Sequence, residues 1–162
     1  MRIIDPTLVD DVWREMTAYP MGRVEAEAQA FLGQQPHVAA FAHAMTKEQE
    51  SAVQQAAFGL CFLLFKILER SVGCPFPPLR EERLTEAYRA IAESLEHAPP
   101  SSPADVLRTE SEPGDPTLVG YILAVFYGGS DRSADDYDEG VRASLSLLLK
   151  TLTHAVDLGT VT

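Results

Sequence analysis

Residues 51–65 read SAVQQAAFGLCFLLF, a stretch without Asp, Glu, Lys, Arg or His, and from Ala56 to Phe65 no side chain is strongly polar. Ahead of it, Thr46-Lys47-Glu48-Gln49 has the spacing of a capping box, and behind it Gly73 and Pro75 form a stop signal. The spacing predicts one helix over about 47–72. A helix that is apolar on every side has to be buried on every side. The expected fold is therefore all-α, an irregular bundle of roughly six to eight helices around this central apolar one.

Toward the N-terminus, Asp5 before Pro6 is an N-cap followed by proline at the first helical position, and Leu8, Val12, Trp13 and Met16 recur at helical spacing. This predicts a first helix to Tyr19, interrupted by Pro20 and Gly22. A second, short helix is expected from Arg23 to Leu32, closed by Gly33. Pro36 opens a third, with Val38, Phe41, Ala42 and Met45 as its apolar stripe.

Toward the C-terminus, Pro75, Pro77 and Pro78 prevent the central helix from continuing. Leu84, Tyr88, Ile91, Leu95 and Ala98 then alternate spacings of four and three, the core stripe of a helix over 79–98, opposite Glu82, Glu86, Arg89, Glu93 and Glu96. The composition changes over 98–116 to Pro, Ser, Glu and Gly, which predicts a long surface loop. It lies inside a single domain of residues 1–162, because neither half holds a sufficient core by itself. Asp115-Pro116 repeats the helix-start signature before Leu118 to Tyr127 (LVGYILAVFY), a second segment apolar all round that Gly128 and Gly129 close. Its β-branched and aromatic content also suits a strand, but a lone strand has nothing to pair with, so helix is expected. Ser133 and Asp136 form a capping box for a last helix over 134–158. Val141, Leu145, Leu148, Leu149, Leu152 and Val156 line its core side and Gly159 ends it.

A chain of 162 residues with 46% hydrophobic and 23% charged side chains is an ordinary globular composition, and a domain near this size buries roughly 68–70% of its unfolded surface. Its 24 acidic against 13 basic residues give a net charge of −11, with no basic stripe and no interleaved aromatics. Such a chain repels phosphate, so neither nucleic acid nor anionic membrane is an expected partner, whereas a basic or apolar protein is. Cys61, deep in the apolar run, and Cys74 at its end read as free thiols of a reducing compartment. The N-terminus has no apolar signal region, and the 51–65 run is shorter than a bilayer span needs. A cytoplasmic location is expected.

No metal, cofactor or catalytic residue is expected. His37 flanks the third stripe and His43 opposes it, while Glu93 with His97 and His154 with Asp157 point away from the stripes of their helices. No inward Glu-x-x-His of the di-iron bundles occurs. The acidic run Asp131 to Glu139 lacks the Gly and Glu of a calcium loop, having Asp136 and Arg142 at those positions. Its carboxylates suit the positive end of a helix. GxSxG, GxGxxG and GxxxxGK[ST] are absent. The expected function is protein interaction or regulation by a homodimer, with the second apolar segment or the last helix, near Leu147, at its seam. The alternative is a small-molecule binder or enzyme with a pocket between the central helices lined by Tyr121, Tyr127, Cys61 or Gln55.

Overall fold

The computed structural model describes residues 6–73, 76–97, 116–129 and 139–161, and among these the chain forms seven helices and no strand. They are α1 (Pro6–Thr17), α2 (Met21–Gln34), α3 (Pro36–Thr46), α4 (Ser51–Val72), α5 (Glu81–His97), α6 (Pro116–Gly129) and α7 (Glu139–Val161). The all-α bundle with a central apolar helix is as expected. α4 packs on α1, α3, α6 and α7, and α7 packs on α3, α4, α5 and α6, so the two form a shared centre. Leu60, Cys61, Leu64 and Ile67 of α4 and Leu145, Leu148, Leu149 and Leu152 of α7 are inaccessible to solvent.

Local chemistry sets the ends of these helices. Pro6, Pro36 and Pro116 each stand at a first helical position, where a missing N–H costs nothing. Gly73 adopts φ +82°, and its N–H closes α4 by donating to the Glu69 carbonyl at 2.7 Å. The expected capping box at Thr46 does not form. Thr46 is the last residue of α3, its buried hydroxyl donates back to the Ala42 carbonyl at 2.8 Å, and Glu50 is the cap residue of α4. The short connection is held instead by Gln54, whose amide donates to the carbonyls of Thr46 and Gln49 at 3.2 and 3.3 Å.

Several boundaries differ from the sequence reading. α1 stops at Thr17, whose hydroxyl donates to the Arg14 carbonyl. α2 starts at Met21 because the Pro20 carbonyl accepts the N–H groups of Arg23 and Val24, which places Gly22 inside the first turn. It also runs past Gly33 to Gln34, as α7 runs past Gly159 to Val161, since glycine weakens a helix without ending it. The segment 118–127 is helical, within α6. The proposed cap at Ser133 and nearly all of the 98–116 loop lie outside the described residues.

Burial departs from the simple stripes in two places. Tyr88 is 40% exposed, its ring meeting Phe41 edge-on at 6.0 Å, and Ala87 takes its place in the core of α5. α4 is not enclosed on every side: Gln55 is exposed, and Phe58, Gly59 and Phe62 are half-buried. It is also long and apolar enough to cross a membrane by length and composition, with half of its most apolar window buried inside the fold.

Candidate functional site

The incompletely covered face of α4 forms the floor of a groove. Between α1, α2 and α4 lies a space of about 240 Å³ lined by Met16, Tyr19, Val24, Glu27, Ala28, Gln55, Phe58, Gly59 and Phe62. Most of these groups are apolar. Gly59 sits in the middle of α4, where glycine costs roughly 1 kcal/mol relative to alanine. A Cβ built on it would meet nothing within 4 Å. Close packing does not demand the glycine, and its missing side chain leaves the groove deep. Across the ridge made by Glu27 and Phe62 is a second space of about 200 Å³, lined also by Phe31, Gln34, Lys66 and Glu69.

α2 is the outer wall of both spaces and is held mainly through one side chain. Phe31 is its only fully buried residue, and its ring meets those of Phe58, Phe62 and Phe65 at 5.4, 5.7 and 5.8 Å. Facing outward, Met21, Val24 and Leu32 are 73, 43 and 40% exposed. Together with half-buried Ala28 they follow spacings of three, four and four, one apolar stripe along the helix.

Charges at the rim are mutually compensated. Arg23 and Lys66 lie 3.7 and 3.5 Å from the Glu27 carboxylate. Arg23 also covers the Tyr19 ring at 4.0 Å from its centre, and Lys66 stands 5.7 Å from the Phe62 ring. The Tyr19 hydroxyl donates to Glu15 at 3.2 Å, and Glu15 also accepts from Arg70. The Arg70 hydrogen bond holds the Glu15 carboxyl below its ordinary range, whereas burial pushes Glu69 up despite nearby Lys66.

The residues weighed from sequence fall elsewhere. His37, His43 and Glu93 are exposed, and His154 is half-buried. The side chains of His97 and Asp157 lie outside the described residues, as does the acidic run except Glu139, which stands exposed in the first turn of α7. Among the described residues no three His, Cys, Asp or Glu side chains gather as a metal site would require. Of the four groups named for an internal pocket, only Gln55 lines the groove. Cys61 is fully enclosed, burial pushing its thiol up to about 12. Tyr121 is half-buried against the core, and the Tyr127 side chain is outside the described residues.

Sequence reasoning missed two features. The first is Gly59, whose signal is a glycine interrupting an otherwise unbroken apolar helix. The second is the enclosure of α7 on its polar side, where Ser146, Lys150, Thr151 and Thr153 are at most 3% exposed. The Thr151 and Thr153 hydroxyls are satisfied by the Leu147 and Lys150 carbonyls at 2.8 and 3.0 Å. Arg142 Nε and Ser146 Oγ, one turn apart, are buried without a hydrogen-bond partner among the described residues. The spacing Arg142, Ser146, Lys150, His154 was the available sign of a polar stripe.

No family model, no curated protein and no solved structure matches the chain.

Proposed function

We propose that this protein is an interaction module that acts as a homodimer, with the exposed stripe of α2 at the seam. The observation supporting this reading is that α2 fully buries Phe31 alone while presenting Met21, Val24 and Leu32 to solvent. A helix held so lightly gains from a partner that covers its other apolar side. The stripe on α2 is a better candidate seam than α6 or α7. Gly120 and Ala124 are the exposed positions among the described side chains of α6, and Leu147 of α7 is half-buried. The net charge of −11 favours a basic or apolar protein as any further partner, and the enclosed free thiol of Cys61 suits a reducing cytoplasm.

Light scattering behind a sizing column, at several protein concentrations and two salt levels, tests the proposal. Like-charged chains repel, and salt screens that repulsion over roughly 8–10 Å near physiological strength, so the dimer strengthens as salt rises. The double variant Val24→Glu, Leu32→Glu should elute as a folded monomer. A monomeric mass for the wild type under every condition would refute the homodimer.

A further inference from the structure

We propose that the groove over Gly59 is a binding site for a compact, neutral aromatic molecule of one or two fused rings. This goes beyond association through α2, with whose apolar stripe the groove shares Val24 and Ala28.

Four observations lead there. The groove is walled by Met16, Val24, Phe58 and Phe62 and holds about 240 Å³, whereas an apolar cavity of roughly 150 Å³ takes benzene. A fused bicycle therefore fits. The floor is deep because α4 carries glycine at position 59, against its helix propensity and without any neighbour within 4 Å of the missing Cβ. Positions that break a local rule without a packing reason are where function is expected. A neutral ligand follows from the rim: Arg23 and Lys66 share the Glu27 carboxylate, and Lys66 also interacts with the Glu69 carboxylate, so two cations stand against two carboxylates and no net charge is left to recruit an ion. The open face of Tyr19, which would otherwise attract a ligand cation, already holds Arg23. Glu27 and Gln55 also line the groove and offer oxygen acceptors, so a ring N–H or O–H on the ligand adds orientation to apolar burial.

Indole is the probe. Proton–nitrogen correlation spectra of the full chain, titrated with indole, should show saturable shifts at the Gly59 amide and along Val24 to Ala28, with a raised melting temperature. Gly59→Leu, whose side chain would fill the groove, should fold, melt no lower than the wild type and lose both responses. Naphthalene-1-sulfonate, of similar ring size but anionic, should bind at least tenfold more weakly than indole. The proposal is overturned by an unmoved Gly59 amide at millimolar indole, by equal responses in wild type and Gly59→Leu, or by preference for the sulfonate. It is overturned equally if Gly59→Leu fails to fold, because the space required for the ligand would then not exist.

Discussion

The buried side chain of Gln35 accepts the Leu79 N–H at 2.9 Å and, through its amide nitrogen, donates to the Pro77 carbonyl at 3.0 Å. One residue between α2 and α3 thus supplies hydrogen bonds to the proline-rich segment leading into α5. Prolines at 77 and 78 remove N–H donors and forbid helix, so this stretch has no ladder of its own. Gln35 is 2% exposed, and it substitutes for the missing secondary structure.

Gln35→Leu should therefore lower stability by about 2 kcal/mol, since it strands the buried Leu79 N–H. Gln34→Leu, one position earlier and exposed, should change it by less than about 0.5 kcal/mol. Urea midpoints of the two variants check this. Equal midpoints would mean that the clamp contributes nothing.

At the bundle centre, Leu64→Asp should largely abolish folding, because Leu64 is inaccessible and an unpaired carboxylate there has no compensation. Exposed Glu93→Ala should be nearly neutral, within about 0.5 kcal/mol. Circular dichroism during urea titration separates the two outcomes.

Most of the architecture was legible because it rests on periodicity and punctuation. The stripes of α3 and α7, the proline starts of α1, α3 and α6, and the Gly73 stop are properties of short windows. The Thr46 cap misled because its hydroxyl has two local acceptor and donor choices, and the end of α3 supplied the Ala42 carbonyl. The groove was not legible. It depends on α2 covering only part of α4, a tertiary fact set by Phe31 seating among three phenylalanines of that helix. Gln35 was equally silent, since a glutamine between helices shows nothing of its burial.

Two glycines in and beside one helix should respond to alanine with opposite signs. Gly59 has ordinary helical geometry and open space, so Gly59→Ala should stabilise by roughly 0.5–1 kcal/mol. Gly73 is left-handed at φ +82°, where a Cβ is strained, and Gly73→Ala should destabilise by about 1 kcal/mol. Thermal melts of the two variants give the comparison. A loss of stability in Gly59→Ala would contradict the open floor of the groove.

Cys61 should be chemically silent in the native state. Its sulfur is fully enclosed and burial pushes its thiol up to about 12, so neither access nor thiolate is provided near neutral pH. In a Cys74→Ser background, labelling with a disulfide reagent at pH 8 should proceed only at the rate of unfolding and become fast in urea. Rapid labelling of the folded protein would show that α4 opens locally.

Acid titration should distinguish the two carboxylates at the end of α4 and beside it. Glu15 has a lowered pKa because Arg70 donates to it, so the charged form is favoured by folding. Its contribution is complete above the ordinary value of 4.5 and is lost as pH falls through the lowered native value. Glu69 is the reverse case. Desolvation raises its pKa more than Lys66 and the Phe76 N–H lower it, so folding favours the proton, a preference fully satisfied below 4.5 and lost as pH rises through the raised native value. At neutral pH, Glu15→Gln should therefore destabilise and Glu69→Gln should stabilise. The Glu69 difference from the wild type should fade as pH falls below 4.5, whereas the Glu15 difference should persist there and shrink only as pH falls through its lowered native value. The Glu15 effect should also diminish in high salt, because the Arg70 pair is partly exposed. Urea midpoints of the three proteins measured from neutral to acid pH test this. Glu15→Gln and Glu69→Gln shifting stability in the same direction at neutral pH would disprove the assignment of hydrogen bonding to one carboxyl and burial to the other.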